Sequence, residues 1–95
     1  MKGNTLKEFT DDLLTMGGPE KEFLYRNRNY FLETIVDEQS GKHIMKIFEC
    51  NESSDTVYEC EGASLYECVK KLENAKIFDG KTISQAEREI EVIYG

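Results

Sequence analysis

Between residues 22 and 62 the apolar positions follow a two-residue period; on either side they follow a helical one. Alternation by two sends successive side chains to opposite faces of a strand, whereas a 3.6-residue period gathers them into one stripe. Four strands are predicted, over 22–26, 30–37, 42–50 and 56–61. The segment Tyr30-Phe31-Leu32-Glu33-Thr34-Ile35-Val36 has the aromatic and β-branched content that suits a pleated surface. Asn27-Arg28-Asn29, Glu38-Gln39-Ser40-Gly41 and Asn51-Glu52-Ser53-Ser54-Asp55 are polar and separate the strands as turns. Gly41 supplies the positive φ that closes a short hairpin loop.

Helices are predicted over about 5–16, 64–74 and 83–94. Thr5 and Glu8 have capping-box spacing, and Leu6, Phe9, Leu13 and Met16 form one stripe before Gly17-Gly18-Pro19 stops the helix. Ser64 and Glu67 repeat that spacing ahead of the stripe Leu65, Cys68, Val69 and Leu72. Ile77 and Phe78 are expected to fold inward as a plug. A third helix then carries Ile83, Ala86, Ile90 and Ile93, although Glu89 to Tyr94 also alternates like a strand. The fold class is therefore α+β in two layers. It is an antiparallel meander of three to four strands, with one helix before it and two after.

Loop length decides which face of the meander is buried, because a one-residue slip exchanges the faces. A three-residue loop at 39–41 places Glu38 opposite Lys42. It gathers Tyr30, Leu32, Val36, Ile44, Phe48, Cys50, Tyr58 and Cys60 on the core face. The reverse face then carries Phe31, Glu33, Ile35, Met45, Ile47, Glu49, Val57 and Glu59, with Glu49 opposite Glu59. A four-residue loop instead sets Glu33 against Lys46 and Phe31 against Phe48. With helices on one side only, the face of Phe31, Ile35, Met45, Ile47 and Val57 is left open and is the candidate interaction face, together with Glu33, Glu49 and Glu59.

Composition narrows the function classes. The 95 residues carry a net charge of −7. Most of the acid excess falls on the strand region, the wrong sign for a phosphate backbone or an anionic membrane. No apolar run approaches the length of a membrane span, and no apolar leader follows Met1. Three cysteines without Cys-x-x-Cys spacing read as thiols in a reducing cytoplasm.

Candidate chemistry is thin. Gly80-Lys81-Thr82 matches the end of a phosphate-binding loop, but Ala75 stands where the pattern needs glycine, so the segment reads as a turn and a helix cap. Cys50, Cys60, Cys68 and His43 lack the paired spacing of a zinc site and read as small apolar residues and a surface histidine. Cys50 and Cys60, on neighbouring strands, are the pair that could approach. Glu33, Glu49 and Glu59 could meet as an acid/base set, but on an open sheet. Tyr25, Arg26, Arg28 and Tyr30 interleave bases and aromatics as single-strand binders do, with Glu20, Glu22 and Glu33 offsetting the charge. The α-β-β-β-α order is similar to that of double-stranded-RNA-binding domains. Their Lys-rich second helix is here Ser64-Leu65-Tyr66-Glu67-Cys68, so the order carries no activity with it. In composition the chain resembles small acidic proteins of Gram-positive bacteria and their mobile elements, with no definable motif behind the likeness.

No catalytic residue, cofactor or metal is assigned from these patterns. The expectation is a non-enzymatic interaction module that binds a protein partner or its own second copy. An acidic decoy of a basic nucleic-acid-binding protein is the alternative, and a small-molecule or metal binder the weaker one.

Overall fold

The computed structural model describes residues 1–15, 20–51 and 55–94. Helix α1 (Leu6–Thr15) precedes four strands, β1 (Lys21–Tyr25), β2 (Arg28–Val36), β3 (His43–Glu49) and β4 (Asp55–Gly62). Helices α2 (Leu65–Asn74) and α3 (Ile83–Ala86) follow, then a 3-10 turn over Glu87–Glu89 and a fifth strand, β5 (Ile90–Tyr94). The pairings among these five strands are antiparallel, in the order β4-β3-β2-β1-β5. The sheet thus has five strands rather than three to four, in an α+β arrangement.

The fifth strand corrects the helix expected over 83–94. Thr82 caps α3 with a full capping box, its hydroxyl accepting from Gln85 N while the Gln85 side chain accepts from Thr82 N. The helix nevertheless ends after one turn. Past the 3-10 turn the chain becomes extended, and Ile90 and Val92 align with Tyr25 and Phe23 on β1. β-Branched residues at 90, 92 and 93 favour that exchange, and β1 gains a second hydrogen-bonded neighbour. Lys2 pairs with the outer side of β5: its N–H donates to Ile90 O at 2.9 Å and its carbonyl accepts from Val92 N at 2.8 Å. Gly3 turns away at φ +80, where a Cβ would stand 2.6 Å from Val92 O.

The other caps behave as the sequence indicates. Thr5 and Glu8 form a reciprocal box, and the Ser64 hydroxyl accepts from Glu67 N. The Glu67 carboxylate reaches Ala63 N instead of Ser64 N. The expected stop at Gly17-Gly18-Pro19, the Met16 end of the stripe and the centre of the 51–55 turn lie outside the described residues.

Register follows the four-residue loop and not the three-residue one. Asp37 opposes Lys42 across a four-residue loop, and Glu33 lies opposite Lys46, Phe31 opposite Phe48. The Asp37 carboxylate explains this: it accepts from Gln39 N at 3.1 Å and from the Ser40 hydroxyl at 3.0 Å, an Asx turn that starts the loop one residue early. Gly41 closes it at φ +72. The covered face therefore holds Met45 and Ile47, both wholly buried, together with Tyr30 and Leu32. Val36 is exposed, and Ile44 and Phe48 point to the other side, so the expected core is half exchanged.

The helices lie on one face. Phe9 and Leu13 of α1, Cys68, Val69 and Leu72 of α2, and Ile83 and Ala86 of α3 share one core with Phe23, Tyr25, Tyr30, Leu32, Met45, Ile47 and Ile90. Phe78 is the expected plug, wholly buried with its ring 5.2 Å from that of Tyr25 and 6.0 Å from that of Phe23. Lys21 also faces inward. Its ammonium lies 3.0 Å from Asp12 on α1 and 5.2 Å from the centre of the Phe9 ring. None of the described helices is long and apolar enough to cross a membrane.

Candidate functional site

The uncovered side of the sheet is the candidate site, and the pairings fix its layout. One row runs from Thr56 through Phe48 and Phe31 to Glu22. The next along the strands is Glu59, Lys46 and Glu33, and the next Glu61, Ile44 and Ile35. On the other side of the aromatic row lie Asn29, Leu24 and Glu91. Val57 is the extra residue of a bulge, since Ile47 pairs with Tyr58 and Phe48 with Thr56. Leu24, Phe31, Ile35, Ile44, Phe48 and Val57 all lie outside the core and its partly buried border. Ile35 is 47% exposed and Val57 40%. The aromatics and Leu24 are half-buried by one another and by their neighbours within the sheet.

Of the expected interaction residues, Phe31, Glu33, Ile35, Val57 and Glu59 are on or beside this face. Met45 and Ile47 are not: they are core, and Ile44 and Phe48 take their places. Glu49 pairs with Tyr30 and so belongs to the helix side. Its opposite residue is Asp55 rather than Glu59, and the Asn51 amide bridges the two carboxylates at 3.0 and 3.4 Å. Glu33 and Glu59 flank Lys46 while Glu49 points away, so the three glutamates do not form an acid/base set. Leu24, Glu22 and Glu91 were not expected on this face from the sequence. The signal for the first two is the alternation of β1, in which Lys21, Phe23 and Tyr25 are the buried members.

Charge is distributed unevenly over the face. Lys46 stands 4.0 Å from Glu59, and Lys42, at the loop end, 3.5 Å from Glu61. Glu22 accepts from the Asn29 amide at 3.1 Å. Among the described residues Glu33 and Glu91 form no salt bridge, although Lys46 lies opposite the first and Lys2 is bridged to the second.

The remaining candidate chemistry is internal to the fold. Arg26 and Arg28 both lie 5.3 Å from the Tyr25 ring, and Arg26 forks onto Glu89 while both reach Asp79. Tyr25 and Tyr30 are buried, so the basic-aromatic interleaving is a clamp between two turns and offers no stacking surface. Asp79 at φ +53 and Gly80 at φ +80 reverse the chain between Phe78 and Lys81. Cys60 lies opposite Met45, five residues along from Cys50, so those two do not meet. Cys60 instead approaches α2, its thiol 3.8 Å from the Cys68 carbonyl. Burial, with Cys60 beside it, pushes the Cys68 thiol up to about 11, which keeps it protonated. His43 is half-buried at the start of β3, its carbonyl accepting from the Cys68 thiol at 3.4 Å. Among the described residues no group of three or more His, Cys, Asp or Glu side chains could hold a metal ion. A shallow depression of about 400 Å³ between the helices is lined by Leu6, Thr10, Asn74 and Ile83 with exposed polar neighbours. Compared with protein-family models, with curated proteins and with solved structures, the chain matches none.

Proposed function

We propose that the chain is a non-enzymatic protein–protein interaction module that docks through the uncovered face of its sheet. One observation carries this reading. The helices close one side of the sheet, while on the other, outside the core, Leu24, Phe31 and Phe48 form one apolar cluster and Ile35 and Ile44 a second, with Glu33 and Lys46 between them. Exposed apolar patches rimmed by polar residues mark interaction sites. A second copy and a different protein are both possible occupants of such a face.

The test is affinity capture from a source lysate with wild-type protein, with Phe48→Ser and with Tyr66→Ser. Tyr66 is an exposed aromatic on α2, away from this face. The proteins retained by the wild type should be lost with Phe48→Ser and kept with Tyr66→Ser, at unchanged far-UV circular dichroism. Identical retention by all three would remove the reading.

A further inference from the structure

The electrostatics of the uncovered face select between those occupants. Resting on the docking reading above, we infer that the face receives a basic amphipathic helix of a different protein, rather than a second copy of this chain. Glu22, Glu33, Glu59, Glu61 and Glu91 ring the apolar residues; among the described residues Lys46 lies within the ring, Lys42 stands beside Glu61 and Lys2 is bridged to Glu91 at its edges. A two-fold dimer would lay this surface on itself. Each Lys46 could then meet one glutamate of the other copy, and it already stands beside its own Glu59. With five carboxylates to three lysines the face is net negative, so laid on itself it repels its own copy. Like charges brought together at an interface are strongly unfavourable, whereas a surface of opposite sign is attracted from a distance.

The spacing of the apolar rows describes the partner further. Phe31 and Ile35, like Phe48 and Ile44, are four residues apart on their strands, so the two apolar clusters lie roughly 13 Å from each other. The row between them is Glu59, Lys46 and Glu33. A helix laid along the strands rises about 12 Å in eight residues. Apolar side chains about seven to eight positions apart would therefore seat on both clusters. Lys or Arg side chains on the flanks of such a helix would reach Glu33, Glu22 and Glu91. A helix on this side adds a third layer and leaves the sheet covered on both faces, a stable arrangement of layers.

The probe is a synthetic amphipathic helix made only of leucine and lysine. It is about 18 residues long, roughly 27 Å as a helix, and is compared with a leucine–glutamate counterpart of the same pattern. Binding is read by fluorescence anisotropy, and the site by amide shifts in nuclear magnetic resonance. The leucine–lysine peptide should bind and move the Leu24, Phe31 and Phe48 amides, and the counterpart should not. Glu22→Gln/Glu33→Gln/Glu91→Gln should weaken binding about tenfold, roughly what three exposed ion pairs contribute. A control with the same change in net charge away from the face, Asp11→Asn/Glu38→Gln/Glu73→Gln, should stay within about twofold. Absence of binding, equal loss in both triple variants, or shifts confined to the helices would overturn the inference. A wild-type dimer in sedimentation that Phe48→Ser dissociates would also overturn it while leaving the docking reading intact. The reading itself fails only in the capture experiment with Phe48→Ser.

Discussion

Lys21 is the residue whose surroundings most constrain α1. It is wholly buried on the helix side of β1, with Asp12 at 3.0 Å and the Phe9 ring against its ammonium. A buried cation deprived of its counter-charge is costly. Asp12→Ala is expected to lower unfolding free energy by about 1–3 kcal/mol, and Lys21→Met in the same background should recover part of it, as urea titration would show. A second residue-level prediction concerns acid. The Arg28 guanidinium holds the Asp79 carboxyl below the usual carboxylate range, and that of Arg26 does the same for Glu89. A carboxylate with a lowered folded value stabilises fully above its unfolded value, and that contribution is lost as pH falls through the folded one. The melting temperature should thus drop below about pH 4. The drop should be smaller in Asp79→Asn/Glu89→Gln, and equal drops in melts of the two proteins would contradict this.

At the scale of elements, what was legible depended on whether the code is local. Capping side chains act within three residues, and Thr5, Ser64 and Thr82 each marked a helix start that the structure keeps. Strand existence was equally local, but register was not. In β3 the pairs Ile44-Met45 and Ile47-Phe48 offer apolar residues to both faces, so alternation could not say which set is buried. The Asp37 side chain decided it through its bonds to Gln39 and Ser40. β5 was obscured because Ile83, Ala86, Ile90 and Ile93 fit a helical stripe while pairing with β1 lies 65 residues away in sequence, from Ile90 to Tyr25. The candidate face inherited the register ambiguity, which is why Ile44 and Phe48 replace Met45 and Ile47 on it. The exchange is measurable. Ile47→Ala should cost about 2–5 kcal/mol, the range for a buried large-to-small change. Phe48→Ser, half-buried on the open side, should cost clearly less in the same denaturant titration.

For the whole molecule, the two outer strands differ in how they are finished. The outer side of β5 is joined to Lys2, and Gly3 is the residue whose positive φ and missing Cβ let the chain lie so close. Gly3→Ala should detach that segment, which hydrogen exchange would record as a faster Val92 amide, with a cost of about 1–2 kcal/mol for the left-handed backbone. β4 has no strand beyond it among the described residues. It carries Asp55, Glu59 and Glu61, and the Lys71 ammonium takes the Glu61 carbonyl at 2.6 Å. Endless ribbon growth needs two receptive margins on every copy, one to offer and one to accept. Here one margin is bare and the other is blocked at its start by Lys2, which favours copies that meet through their bare margins stopping at a pair. Negative charge along that margin opposes even this first step at neutral pH. An uncovered apolar sheet face can therefore persist without the backbone offering a route to polymers.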